Sequence, residues 1–129
     1  MVCRCRGIRG ATVVSENSAG AILGGARELL EALVVANGVE EQDVASVFFT
    51  VTPDLDAAYP AVAAREMGWT HTALINVQEM VVPGSLPHCI RVLIHWNTER
   101  PATEIQHVYL REARSLRPDL AGHGHMSAS

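Results

Sequence analysis

Residues 44–51 read VASVFFTV, an unbroken apolar run rich in branched and aromatic side chains. Such a run is too short for a buried helix and fits a strand covered on both faces. It obliges the rest of the chain to supply strands at its edges and layers above and below it. The neighbouring strands are legible. Val2 to Val14 is extended in character, with Gly7 and Gly10 interrupting it, and residues 71–77, HTALINV, return as a strand. In residues 90–96, IRVLIHW, the period of two separates Ile90, Val92, Ile94 and Trp96 from Arg91, Leu93 and His95, so Arg91 points to the other face. The segment after Pro101 fits strand and helix alike, and is read as a fifth strand from about Gln106 with an irregular end.

Helical periodicity is confined to two places. Ile22, Leu23, Ala26, Leu30, Leu33 and Val34 recur at helical spacing after a cap at Asn17 or Ser18, and Asn37 and Gly38 stop the pattern. Within it Gly24 and Gly25 each cost about 1 kcal/mol relative to alanine, which marks close packing or a soft spot. Pro53 and Asp54 form a turn, Pro60 opens a shorter helix carrying Arg65, and Gly68 ends it. Residues 82–87, VPGSLP, form a loop. The expected class is α/β (α+β): a five-stranded mixed sheet with two main helices. Two helices cannot cover both faces of such a sheet, and self-association is the economical way to cover the rest. One domain is expected over residues 1–120, followed by a loose, small and polar tail, AGHGHMSAS, at 121–129.

Composition removes whole classes of function. A net charge of -4 with scattered basic residues argues against nucleic-acid binding, and no apolar run approaches the roughly 20 residues that span a bilayer. A soluble, cytoplasmic protein is expected. Cys3, Cys5 and Cys89 form no Cys-x-x-Cys motif and are read as reduced thiols. All ten basic residues are arginine, so lysine chemistry is excluded. A metal site built on Cys3 and Cys5, or on His123 and His125, is the weaker reading against small strand residues and a solvated tail. His88 and Cys89 are adjacent, and neighbours on a strand face opposite ways. There is no hydrolase elbow and no dinucleotide fingerprint.

What remains is a set of charges in apolar or glycine-flanked sequence: Arg9, Arg65, Glu79, Arg91 and Arg117, with Tyr109 as a hydroxyl donor. For each taken singly a structural ion pair is the plainer reading, because an unpaired buried charge is very costly. Four arginines against one acid are a surplus that an anionic ligand explains better. A small carboxylate, held by planar guanidinium forks, is the ligand class this pattern supports.

Six blocks carry a resemblance. RGIRGAT (6–12), TPDLDAAYPAVAARE (52–66), QEM (78–80), CIRV (89–92), HVYL (107–110) and LRPDL (116–120) together resemble the AroH-class, Bacillus-type monofunctional chorismate mutases. The resemblance implies a homotrimer with a pseudo-α/β-barrel core, helices outside and active sites between subunits. It implies the Claisen rearrangement of chorismate to prephenate, in the shikimate pathway towards phenylalanine and tyrosine, with no cofactor and no metal. It also implies roles: Arg91 at the ether oxygen and a carboxylate, Arg9 and Tyr109 on a carboxylate, and Glu79 accepting the ring hydroxyl proton. Tyr59, Ala61, Arg65, Leu74, Leu116 and Arg117, with backbone near Ile75, would complete the cleft across the interface. Asn76 stands where that family often carries cysteine, Val62 where it often carries lysine, and Tyr59 where it carries phenylalanine; Asn76 would meet the substrate hydroxyl through its amide. The alternative is a trimeric carboxylate-binding protein of similar fold without mutase activity.

Overall fold

A computed structural model of the chain describes residues 2–116. Five strands, β1 (Arg4–Val13), β2 (Val44–Val51), β3 (Ala73–Gln78), β4 (Cys89–Thr98) and β5 (Val108–Tyr109), form one sheet in the order β3-β2-β4-β1-β5. The central strand β4 runs antiparallel to β1 and β2, whereas β3 lies parallel to β2 and β5 parallel to β1. The sheet is mixed, as the run of elements predicted. Arg117, His123, His125 and the expected tail lie outside the described residues.

Helix α1 (Ala19–Asn37) begins where the Ser18 hydroxyl accepts the Ala21 N–H at 3.1 Å and ends at Gly38, whose φ of 72° is left-handed. Its apolar stripe, Ala26, Leu29, Leu30 and Leu33, packs with Ile8, Val47, Phe49, Val92 and Ile94 on one sheet face. The short α2 (Ala61–Glu66) adds Ala61, Ala63 and Ala64 to the same core. Ile94 and Phe49 are fully buried there, each stabilising the fold by about 1.5–3 kcal/mol through lost apolar surface.

Gly25 is the close-packing glycine of the pair in α1. A β-carbon there would stand 2.4 Å from Val14 Cγ1, whereas one at Gly24 meets nothing within 4 Å. Val14 is branched and 8% exposed, so it has little room to yield. Gly25→Ala is therefore expected to destabilise the protein by about 1–3 kcal/mol despite alanine's better helix propensity, and Gly24→Ala to be neutral or stabilising. Urea denaturation of the two variants checks the contrast.

The fifth strand is shorter than its sequence suggested. Gln106 is not part of it, because its backbone N–H and C=O are both taken by the Asn37 side-chain amide at the end of α1. Only Val108 and Tyr109 pair with β1, and Arg111, at a φ of 53°, turns the chain into a 3-10 turn spanning Arg111–Leu116.

The opposite sheet face carries neither α1 nor α2; the 3-10 segment Arg111–Leu116 packs over its β1 end, where Ala113 joins Ala11, Cys89 and Tyr109. Phe48, Ile75 and Val77 are 40%, 48% and 41% exposed on it, which is unusual for large apolar side chains in adjoining strands. The expected uncovered face is present.

Candidate active site

Arg91, the third residue of β4, projects onto this open face between Thr50 of β2 and Ala11 of β1. Strand alternation puts it there while Ile90 and Val92 go to the core. Glu79 arrives by a different route. It is the first residue after β3, held where its N–H donates to Val51 O at 2.8 Å, and its Oε1 accepts the Thr50 hydroxyl at 2.6 Å. The same oxygen lies 3.5 Å from Arg91 Nε. The Arg91 and Glu79 side chains are 43% and 28% exposed, yet Arg91 Nε is itself buried without a hydrogen-bond partner, so Glu79 steadies one edge of the guanidinium while solvent reaches the rest. The arrangement aims a guanidinium rather than tying it down.

Arg9, Arg91, Tyr109 and Leu116 line one depression of about 540 Å3 on the open face, with Phe48, Val77 and Leu93 as its apolar floor and His95 at its side. Tyr109 is buried beside Ala11, and Arg9 is exposed. Thus Arg9, Glu79, Arg91 and Tyr109 gather within one chain, and Leu116 joins this group rather than the residues of the far edge.

The remaining predicted residues lie elsewhere. Tyr59 and Asn76 line a second depression of about 480 Å3 along the β3 edge. Asn76 Oδ1 accepts the Ala61 N–H at 2.9 Å, which fixes the amide and leaves its Nδ2 end to donate. Ala61 itself is buried, Arg65 is exposed on α2, and Leu74 packs against the core. Asn76 pairs with Phe49 and Phe49 with Val92, so Asn76 faces the helix side of the sheet, whereas Arg91 faces the other. Ile75 alone of the three β3 residues points to the open face. A compact ligand cannot touch Arg91 and Asn76 of the same chain.

Two groups near Arg91 were not singled out by the sequence as part of its setting. Thr50 is one, legible only once the register of β2 against β4 is known. Cys89 is the other: it is buried two residues before Arg91, and burial pushes its thiol up, partly offset by the Arg91 charge. A protonated thiol there is no nucleophile. Cys3 and Cys5 are exposed, and among the described residues no group of three or more His, Cys, Asp or Glu side chains is placed to hold a metal ion. No helix among those residues is long and apolar enough to cross a membrane. A further depression of about 520 Å3 between β1 and α1 contains Arg111 and Glu28, which already satisfy each other at 2.9–3.0 Å.

Comparison with known proteins supplies the family and the fold. The family described as chorismate mutase type I matches residues 5–120. Chorismate mutase AroH of Thermus thermophilus is 52% identical over 116 residues, which is 89% of this chain and 95% of that protein. The AroH of Bacillus subtilis is 43% identical over 117 residues, 90% of this chain and 92% of the relative. Among solved structures, a chorismate mutase from Clostridium thermocellum superposes with a TM-score of 0.83 at 53% identity, covering 84% of this chain and 97% of its own. With a family match over residues 5–120, relatives at 52% and 43% identity and a solved structure of the same fold, the chain belongs to the chorismate mutase type I family.

Proposed function

We propose that this chorismate mutase converts chorismate to prephenate in a site made of two halves: the open-face depression of one protomer and the β3-edge depression of the next. The observation that carries the two-half reading is the opposite facing of Arg91 and Asn76 across one sheet. The exposed apolar Phe48, Ile75 and Val77 supply the surface for closed association, and a homotrimer places one such site at each interface. The reading places the enzyme in the cytoplasm.

The rearrangement is intramolecular, breaking a C–O bond as a C–C bond forms, so no group of the protein has to bond to the substrate. What the site must do is hold a flexible dicarboxylate in its compact form and stabilise negative charge growing on the ether oxygen. Arg91 directs its guanidinium at that oxygen, with Glu79 steering Nε and accepting the ring hydroxyl. Arg9 and Tyr109 bind a carboxylate from the same side. Tyr59, Arg65, Arg117, the Asn76 amide, and the backbone and apolar groups at Ala61, Leu74 and Ile75 close the site from the neighbouring chain, with Leu116 on the Arg91 side. Acceleration by about a millionfold corresponds to roughly 8 kcal/mol. One donor aimed at developing charge supplies about 3–4 kcal/mol of it, and restricted geometry can supply the remainder.

Loss of chorismate absorbance in buffer containing chelator tests this reading; substrate binding without turnover would instead favour a carboxylate-binding protein. The rate is expected to be flat across neutral pH, since no proton moves in the bond-making step. Asp54, which helps hold the loop beside Arg91, agrees with that. Partial burial raises its carboxyl, but the Thr52 hydroxyl, the His88 N–H and the His88 ring outweigh burial and hold it below its ordinary 3.8. A carboxyl lowered by folding stabilises the fold above pH 3.8, and that contribution goes only as pH falls through the lower folded value. A steep bell in kcat between pH 6 and 8 would contradict the mechanism.

A further inference from the structure

We propose that Asp54 is a positioning residue for the Arg91–Glu79 pair, an inference that rests on the functional reading given above. The two partners sit at opposite ends of the excursion from residue 79 to residue 88, so their alignment depends on how both ends of that loop are fixed. Both ends hang on the end of β2, and the second end also on the chain after β1, where Val14 N–H donates to His88 O at 2.9 Å. Glu79 N–H donates to Val51 O at 2.8 Å, and at the other end Thr52 N–H donates to Cys89 O at 3.1 Å. Cys89 N–H in turn donates to Thr52 Oγ1 at 3.0 Å.

Asp54 controls that second attachment in two ways. Its Oδ1 accepts the Thr52 hydroxyl proton, which turns the Thr52 lone pairs towards Cys89. Its two oxygens also accept the His88 N–H, at 3.2 and 3.0 Å, with His88 Nε2 3.8 Å from Oδ2. His88 has a φ of 52°, a left-handed conformation that a non-glycine side chain keeps only when its surroundings hold it. Without the carboxylate, the Thr52 hydroxyl is free to rotate and the His88 N–H loses its acceptor, leaving the bond from Val14 N–H to His88 O as the remaining hold on the left-handed backbone. Cys89 and Arg91 lie on the same side of β4, so a tilt at Cys89 is passed to the guanidinium. Asp54 lines neither the open-face depression nor the edge depression, which is why it positions and does not bind.

The test compares wild type, Asp54→Ala, His88→Gly and the double variant, by steady-state kinetics with chorismate and by amide hydrogen exchange. Asp54→Ala is expected to lower kcat by about tenfold or more with KM changed much less, since small misplacement of a group aimed at the transition state is costly. His88→Gly removes the left-handed strain and should restore kcat several-fold in the Asp54→Ala background. Exchange should quicken across residues 79–91 while α1 is unchanged. The proposal is overturned if kcat of Asp54→Ala stays within about twofold of wild type, if glycine gives no rescue, or if α1 loosens equally, as in general destabilisation. A wild type that does not turn over chorismate would instead sink the functional reading, and the exchange pattern alone would then decide the role of Asp54.

Discussion

Arg91→Ala lowers kcat by about a thousandfold or more, with KM rising far less and the assembly intact, if this guanidinium meets the ether oxygen mainly in the transition state. The residue is well placed for a clean experiment. Its side chain is 43% exposed and its partner Glu79 is 28% exposed, so deletion leaves a carboxylate that water and the Thr50 hydroxyl can satisfy. The fold therefore loses little, and the rate loss reports chemistry. Arg91→Lys is expected to recover only a small part of the activity, because an ammonium supplies a point charge without the planar fork. Single-turnover measurements and a thermal melt on the same preparations separate rate from stability. Near-normal kcat in the alanine variant would remove the electrostatic mechanism.

A charge placed on the open sheet face gives the second large effect. Phe48 stands between Leu93 of β4 and Ile75 of β3, its ring 5.7 Å from that of His95, in the depression that Arg9 and Arg91 also line. In an isolated protomer Phe48→Glu faces water and the fold tolerates it. In the proposed trimer the same carboxylate is taken out of water at an apolar interface, a penalty of several kcal/mol in each of three subunits. The expected outcome is dissociation to folded monomers with turnover reduced to background at enzyme concentrations below the shifted dissociation constant. Sedimentation velocity and the chorismate assay, run on the same sample, check both halves. A monomer that still turned over chorismate at the wild-type rate would contradict the shared site.

The strands and helices were legible because their signals are local. The unbroken VASVFFTV became β2 at the same boundaries, and Ser18 and Gly38 delimited α1 through capping chemistry that needs only neighbouring residues. The loop before β4 was legible for the same reason: Pro83 and Gly84 form a tight turn in which Ser85 N–H donates to Val82 O at 3.1 Å and Gly84 takes a φ of 85°. The end of β5 was not legible, because it is decided by the Asn37 amide, 69 residues away in sequence, capturing Gln106.

The site divides along the same line. Alternation alone sends Arg91 away from the core, and glycine-flanked Arg9 and the acid after β3 were conspicuous. Their convergence was not readable without the order β3-β2-β4-β1-β5, which brings β1 and β4 together. Tyr59 and Asn76 carried no local signal of chemistry and entered only through the resemblance, whereas Arg65 stood out as a charge in apolar sequence. Asp54 read as a turn residue, and its grip on His88 and Thr52 exists only once the 52–56 turn meets the start of β4.

Subunit mixing tests the two-half site most directly. Arg91→Ala lacks the open-face cation, Arg65→Ala lacks the edge cation, and each alone should be nearly inactive as a homotrimer. After denaturation, equal mixing and refolding together, random assembly pairs an intact open face with an intact edge in about a quarter of sites. Recovery of about a quarter of wild-type turnover is the expected result. A mixture no more active than the sum of its two parents would show that each chain works alone and that the shared crevice is wrong.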